Sequence, residues 1–142
     1  HHHLHMHPVI MNFLLAQART LGITHLRLTR EPLGAHRRTG AAFSWPRAGH
    51  ALAHGLLARR ARPGFQRLAI RYPAAVFGLL NSGGMDEDYL ARLLPVLPAG
   101  TSEIYSHPSL EAGAHELRAL ISPRIQTLVK RLGIKLIRYQ DL

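Results

Sequence analysis

An α/β fold with a parallel sheet is the class that this 142-residue sequence predicts. Short segments of β-type periodicity alternate with helical segments along the chain, and turn-forming glycines and prolines separate them. Hydrophobic residues make up 46% of the sequence and charged residues 18%, which excludes a disordered chain and a membrane-embedded one. Right-handed crossovers then favour either an α/β barrel or a doubly wound sheet.

Five strands are predicted, at 1–7, 23–28, 75–79, 101–106 and 134–139. Helices are predicted at 8–21, 46–62, 86–94, 114–121 and 123–133, with a shorter helix at 65–72 and a loop over 33–45. Several of the helix starts rest on capping chemistry, such as Asp86 and Ser122 as N-caps and Pro8 and Pro123 at the first helical position. Five strands are too few for an eight-stranded barrel, which takes about 250 residues, so we expect an incomplete barrel cut at its front.

Positive charge is concentrated in the middle of the sequence. The net charge is +10, and residues 32–85 contain eight arginines and no acidic residue. Such a segment suits phosphate groups or an anionic membrane surface, although a solvated arginine-rich face is the simpler interpretation for most of the eight.

Histidines dominate the beginning of the chain, at positions 1, 2, 3, 5 and 7. On a strand the odd-numbered ones share one face, where neutral imidazoles at i and i+2 can converge on a divalent cation. Because the sequence has no cysteine, histidine and carboxylate are the ligands left for such a metal. A purification tag and a chance cluster are the alternatives, but Leu4 and Met6 interrupt the run and Pro8 follows without a linker.

Two further residues lie near the carboxyl ends of predicted strands, where α/β folds place their working groups. Arg27, near the end of 23–28, suits an anionic or polyhydroxylated ligand, and a structural ion pair with Glu31 is the equal alternative. His107, held by Pro108 directly after 101–106, suits a general acid or base near neutral pH. The remaining histidines show no metal-site spacing; they are His25, His36, His50, His54 and His115.

Several segments together resemble the YdjC-like carbohydrate deacetylases, and most of all their hopanoid-biosynthesis-associated branch. The resemblance lies in His-His-His-Leu-His-Met-His-Pro at 1–8, Ile-Thr-His-Leu-Arg-Leu at 23–28, Phe-Gly-Leu at 77–79, Leu-Leu-Pro at 93–95, Ser-Glu-Ile-Tyr-Ser-His-Pro at 102–108, Glu-Leu-Arg-Ala-Leu at 116–120, Ser-Pro at 122–123 and Gly-Ile-Lys-Leu-Ile at 133–137. It therefore covers nearly the whole chain.

This resemblance implies that residues 1–142 form a single domain, the C-terminal portion of a TIM-like (β/α) barrel whose N-terminal strands are missing. It implies a divalent metal ion, Mg²⁺ or Zn²⁺, with His1 as a ligand and with His3 and His5 on the same face. His107 would belong to the catalytic constellation. The implied reaction removes an acetyl group from an N-acetylated sugar, and the hopanoid branch implies an N-acetylglucosaminyl hopanoid lipid as the substrate.

One departure from the family pattern limits that expectation. The front half of the family carries an Asp-Asp motif and a further metal-ligating histidine, and this sequence has neither, so we expect little or no hydrolysis by this chain alone. The alternative function is a non-catalytic basic module that binds an anionic membrane, through residues 46–71, or nucleic acid. Nucleic acid is the weaker of the two and is not an expected partner, because few aromatic residues lie among the arginines. We expect a cytoplasmic protein, with peripheral contact at the inner face of the membrane.

Overall fold

The computed structural model describes residues 3–142, and its elements confirm the α/β class. They are α1 (Pro8–Gln17), α2 (Leu33–Arg38), α3 (Trp45–Arg67), β1 (Ala75–Phe77), α4 (Glu87–Leu93), β2 (Ser102–Ile104), α5 (Ala114–Ile121) and α6 (Pro123–Arg131). Single 3₁₀ turns lie at Leu4–Met6, Leu94–Val96 and Tyr139–Asp141. Within the described range, no helix is both long and apolar enough to cross a lipid bilayer.

The sheet is small and parallel. Residues of β1 lie opposite residues of β2 in register, with Ala75 facing Ser102 and Phe77 facing Ile104, and α4 makes the crossover between the two strands. A third segment runs alongside β1, because the Val76 N–H donates to the Arg30 carbonyl at 2.9 Å. The parallel arrangement that the alternation predicts is therefore present, and the TIM-like barrel stays a prediction.

Three predicted strands are wrong in detail. The described part of 1–7 is a 3₁₀ turn, because His3 adopts a left-handed φ of +64° and Pro8 begins α1 directly afterwards. Residues 23–28 form a single bridge, to Arg71, which lies outside the two-stranded sheet. Residues 134–138 form no ladder, and Tyr139 begins a 3₁₀ turn. A strand needs a neighbouring strand along its length, and among residues 3–142 neither segment has one.

Helix starts lie where capping chemistry predicts them. The Asp86 carboxylate accepts the Tyr89 N–H at 2.8 Å, and the Ser122 hydroxyl accepts the Ile125 N–H at 3.3 Å, with Pro123 at the first helical position. The prediction for α5 is also confirmed. The loop predicted before α3 is wrong in part, because it contains α2.

Helix α3 continues where the sequence predicts a stop. Proline inside a helix costs about 3 kcal/mol, yet α3 passes Pro63 and ends at Arg67, so the separate helix predicted at 65–72 is also wrong. Its last turn carries Phe65, which is completely buried in the core beside Met6 and Met11. Pro63 has no N–H to donate within the helix, and burying an aromatic side chain of this size offsets that missing hydrogen bond.

Two hydrophobic clusters support the sheet and the helices. One joins β1 to α2, α4, α5 and α6, and its most deeply buried members include Phe77, Leu93 and Ala119. The other joins the start of the chain to α1 and to the second half of α3. The buried side chains of α3 are four alanines and Phe65, with Leu57 partly buried against the same cluster, and the alanines let neighbouring segments approach closely.

A buried carboxylate holds the loop that follows β1. Glu31 is 5% exposed, and its Oε2 accepts the N–H groups of Leu79 at 2.7 Å and Leu80 at 2.9 Å. Burial raises the pKa of Glu31 to about 6, against the opposing effect of these hydrogen bonds. Its Oε1 is buried with no hydrogen-bond partner, which is consistent with a carboxyl that retains its proton above the usual range.

A second buried carboxylate joins the loop after β1 to the loop after β2. Glu116 on α5 is 1% exposed, and its Oε1 accepts the Met85 N–H at 3.2 Å. Its Oε2 accepts the His107 N–H. One side chain therefore fixes the backbone of both segments that leave the sheet at its carboxyl end.

The raised pKa of Glu31 predicts a pH-dependent stability. Its pKa is raised on folding from 4.5 to about 6, so its contribution to the free energy of unfolding is full below pH 4.5 and falls as the pH rises through 6. A shift of this size corresponds to about 2 kcal/mol. The Glu31→Gln variant has no carboxyl to ionise at this position. Its free energy of unfolding, after that of the wild type is subtracted, should therefore rise by about 2 kcal/mol between pH 4 and pH 7.

Urea denaturation at several pH values, followed by far-ultraviolet circular dichroism, measures this difference. Histidine titration affects both proteins equally and cancels in the comparison. A difference that stays constant across this range, or falls, would contradict the role assigned to Glu31.

Candidate functional site

A cavity of about 600 Å³ opens at the carboxyl ends of β1 and β2. Histidine and arginine side chains dominate its polar lining. The lining residues are His3, Arg27, Pro46, Arg47, His50, His54, Leu79, Ser82, Tyr105 and His107. This is the edge of a parallel sheet at which ligands of α/β proteins bind.

The chain supplies this lining from five places, one of which is Arg27 in the segment 23–28. The start of the chain contributes His3, and the loop after β1 contributes Leu79 and Ser82. The segment after β2 contributes Tyr105 and His107, and α3 contributes two histidines one turn apart. Cavity and sheet are directly linked, since the Tyr105 N–H donates to the Phe77 carbonyl at 3.0 Å.

A run of aromatic rings connects the two histidine segments that the sequence singles out. The His3 ring centroid lies 5.6 Å from that of His54 and 4.9 Å from that of Tyr105. The Tyr105 centroid in turn lies 5.7 Å from that of His107. His3 is oriented by Thr29, whose Oγ1 is 3.1 Å from the His3 Nδ1. The structure thus brings His3 and His107 to one cavity, although 103 residues separate them in the sequence.

His5 takes a different environment from His3. Its Nε2 donates to the Arg27 carbonyl at 3.0 Å, and its ring centroid is 6.2 Å from that of His3. Burial lowers the pKa of His5, which favours a neutral imidazole at neutral pH. The expectation that alternate histidines share one strand face is wrong for the described residues, because a 3₁₀ turn does not have the two-residue period of a strand.

The described residues do not complete a metal centre. Among residues 3–142, no group of three or more histidine or acidic side chains could hold a metal ion. His54 has the tautomer that a metal ligand needs. Its Nδ1 donates to the His50 carbonyl at 2.9 Å, so the neutral ring keeps an acceptor at Nε2. His1 lies outside the described residues, and the metal-ligand roles of His1, His3 and His5 stay predictions.

Arg27 lines the cavity and is held by an ion pair. Its Nε and Nη2 donate to the two carboxylate oxygens of Glu103 on β2, so the alternative partner that the sequence suggests, Glu31, is wrong. The Arg27 guanidinium carbon lies 5.4 Å from the centroid of the Tyr105 ring. Partial burial acts against the charged form, but Glu103 offsets this effect and the pKa of Arg27 is raised. The substrate-binding role of Arg27 stays a prediction.

Three contributors to the site are missed by reasoning from the sequence. Burial, reinforced by the charge of Glu31, raises the pKa of Tyr105, which keeps its phenol neutral and able to donate a hydrogen bond. His54 could have been found from its i, i+4 spacing to His50 on a predicted helix, which places both on one side. Glu116 has no signal in the sequence, since a carboxylate near a helix start is ordinarily a solvated one.

Comparison with known protein families gives one match. A family model described as YdjC-like protein matches residues 1–131, a range that includes every residue lining the cavity. Searches of curated proteins and of solved structures find no match. The family is associated with carbohydrate-modifying hydrolase activity. A match over so much of the sequence establishes that this chain belongs to the YdjC-like family.

Proposed function

We propose that this chain belongs to a metal-dependent deacetylase that removes the acetyl group from an N-acetylated sugar. The observation that supports this most is the cavity at the end of the sheet, where His3, Tyr105 and His107 meet. Its volume, about 600 Å³, suits a ligand the size of a sugar. The resemblance of 1–8 and 102–108 to the hopanoid-associated branch supports an N-acetylglucosaminyl hopanoid lipid as the substrate.

Hydrolysis of an acetamide makes two chemical demands on this cavity. Water adds to the carbonyl carbon, and the C–N bond then breaks as the amine nitrogen gains a proton. Imidazole is the side chain best suited to move protons near neutral pH, and we assign delivery of the amine proton to His107. Because Glu116 holds the His107 backbone, the imidazole starts from a fixed position.

Tyr105 and Arg27 are suited to bind and orient the sugar. The Tyr105 ring offers an apolar face for the C–H groups of a pyranose, and its neutral phenol can donate a hydrogen bond. Arg27 has donors that match hydroxyl oxygens, and Glu103 fixes the guanidinium next to that ring. Neither role requires a charge change during the reaction.

A divalent cation, Mg²⁺ or Zn²⁺, is part of this proposal by family resemblance. When bound, such an ion polarises the acetamide carbonyl and lowers the pKa of a bound water. The described residues do not supply three converging ligands, so no step is assigned to the ion on this chain. His3 and His5 are the described residues that we propose as partial ligands, together with His1.

Sugar binding is testable without turnover. Titration of the 142-residue chain with N-acetylglucosamine should shift the imidazole NMR signals of His3 and His107, because both line the cavity. His115, which does not line the cavity and whose Nε2 donates to the Gly83 carbonyl, is the internal control and should shift much less. Tyr105→Ala should abolish the shifts. Unchanged cavity signals at saturating sugar, or equal shifts of all three histidines, would refute the assignment of the site.

The incomplete ligand set gives a second prediction. We expect weak binding of Zn²⁺ or Mg²⁺ by the isolated chain in calorimetric titration, and acetate release from an N-acetylglucosamine conjugate close to the uncatalysed rate. A His3→Gln/His5→Gln variant should lose the residual metal binding, whereas His115→Gln should retain it. Robust acetate release by the isolated chain would show that its own residues complete the centre.

A further inference from the structure

The outward face of α3 is apolar at its centre. Trp45, Leu52 and Leu56 lie within about 40° of one another around the helix axis, at 3.6 residues per turn. They are 81%, 60% and 60% exposed, respectively. The buried positions on the opposite side are four alanines and Phe65, so these three larger apolar side chains of α3 face solvent and not the core. We call Trp45, Leu52 and Leu56 the outer stripe.

Arginines surround the outer stripe. Arg59 and Arg60 flank it on either side, about 20° and 40° from its edges, and Arg67 lies about 20° from its edge and about three turns beyond Leu56. Helix α3 carries five arginines, at 47, 59, 60, 62 and 67, and no acidic residue. All five are exposed, and none of them forms an ion pair with a described carboxylate. Arg47 lines the cavity, whereas Arg59, Arg60 and Arg67 give the outward face unneutralised positive charge beside its exposed apolar side chains.

We propose that α3 docks on the surface of an anionic lipid bilayer, lying parallel to it with the outer stripe inserted and the arginines at the headgroups. This surface is separate from the cavity, and the inference does not depend on the proposed hydrolase activity. Interfacial helices have this composition, with tryptophan and leucine on the inserted side and arginine alongside. The membrane contact that the sequence suggests for residues 46–71 is thereby assigned to one face of α3.

Charge complementarity distinguishes the bilayer from two other occupants. A second copy of this chain would bring one set of α3 arginines against another, which opposes association of the two faces. Nucleic acid would neutralise the arginines but would leave Leu52 and Leu56 exposed, because aliphatic side chains do not stack on bases as aromatic ones do. An anionic bilayer would neutralise the arginines and would also bury the apolar side chains of the outer stripe.

Trp45 is the only tryptophan in the sequence, so fluorescence of the whole chain reports on the outer stripe directly. Vesicles containing phosphatidylglycerol should shift its emission to shorter wavelength, and brominated lipids should quench it. Phosphatidylcholine vesicles should have a much smaller effect. Raising the salt from 50 mM to 500 mM should reverse most of the shift, because exposed charges are screened.

Matched variants separate the apolar contribution to vesicle binding from the electrostatic one, and vesicle sedimentation measures both. Leu52→Ser/Leu56→Ser removes apolar area at exposed positions, and Leu110→Ser/Leu136→Ser, which alters two exposed leucines elsewhere, is its control. Arg59→Gln/Arg60→Gln should weaken partition into anionic vesicles about 30-fold. Lys130→Gln/Arg131→Gln removes the same charge from exposed positions of α6 and should bind like the wild type.

Four results would overturn the proposal. The first two are a failure to sediment with anionic vesicles at 50 mM salt, and losses of binding in the control variants that equal those in the test variants. The third is an emission shift that depends on protein concentration without lipid, which would indicate self-association through α3. The fourth is binding to a DNA duplex that matches binding to vesicles, which would indicate a nucleic-acid surface.

Discussion

Two buried carboxylates hold the segments from which the cavity is built. The strands of the described sheet are only three residues long, and such a short ladder does not by itself orient the loops that leave it. Glu31 accepts two N–H groups from the loop after β1, and Glu116 accepts one from each loop. Hydrogen bonds to a charged acceptor are stronger than neutral ones, and a buried N–H without a partner is costly. The position of His107 therefore depends on a side chain nine residues further along the sequence.

Helix α3 separates two surfaces that serve different purposes in this account. Its cavity side carries His50 and His54, while the opposite side carries Trp45 and its two leucine neighbours. The alanines between them allow close packing against the core, while Trp45, Leu52 and Leu56 face outward. The proposed glycolipid substrate and the proposed bilayer contact fit together on this helix, because one side would face the lipid while the other lines the cavity.

Local chemistry made part of this structure predictable from the sequence. Capping at Asp86 and Ser122 sets the starts of α4 and α6, and the apolar run at 75–79 marks β1, because these signals act within a few residues. The predicted histidine strand is wrong, because strand periodicity needs a neighbouring strand and the chain turns at His3. The position of His107 beside the cavity follows from its place directly after a strand, and its catalytic role stays a prediction. The contacts of Arg27 with Glu103 and of Glu116 with two loops join residues from separate elements, and no local pattern encodes them.

Amide hydrogen exchange in Glu116→Ala shows whether this carboxylate holds both loops, with the exposed Glu111→Ala as the control. The His107 and Met85 amides should be protected in the wild type and in the control, and should lose protection in Glu116→Ala. The Val76 amide, which donates to the Arg30 carbonyl beside the sheet, should stay protected and so report that the fold is intact. Unchanged protection at His107 in Glu116→Ala would contradict the claim that this carboxylate positions the site.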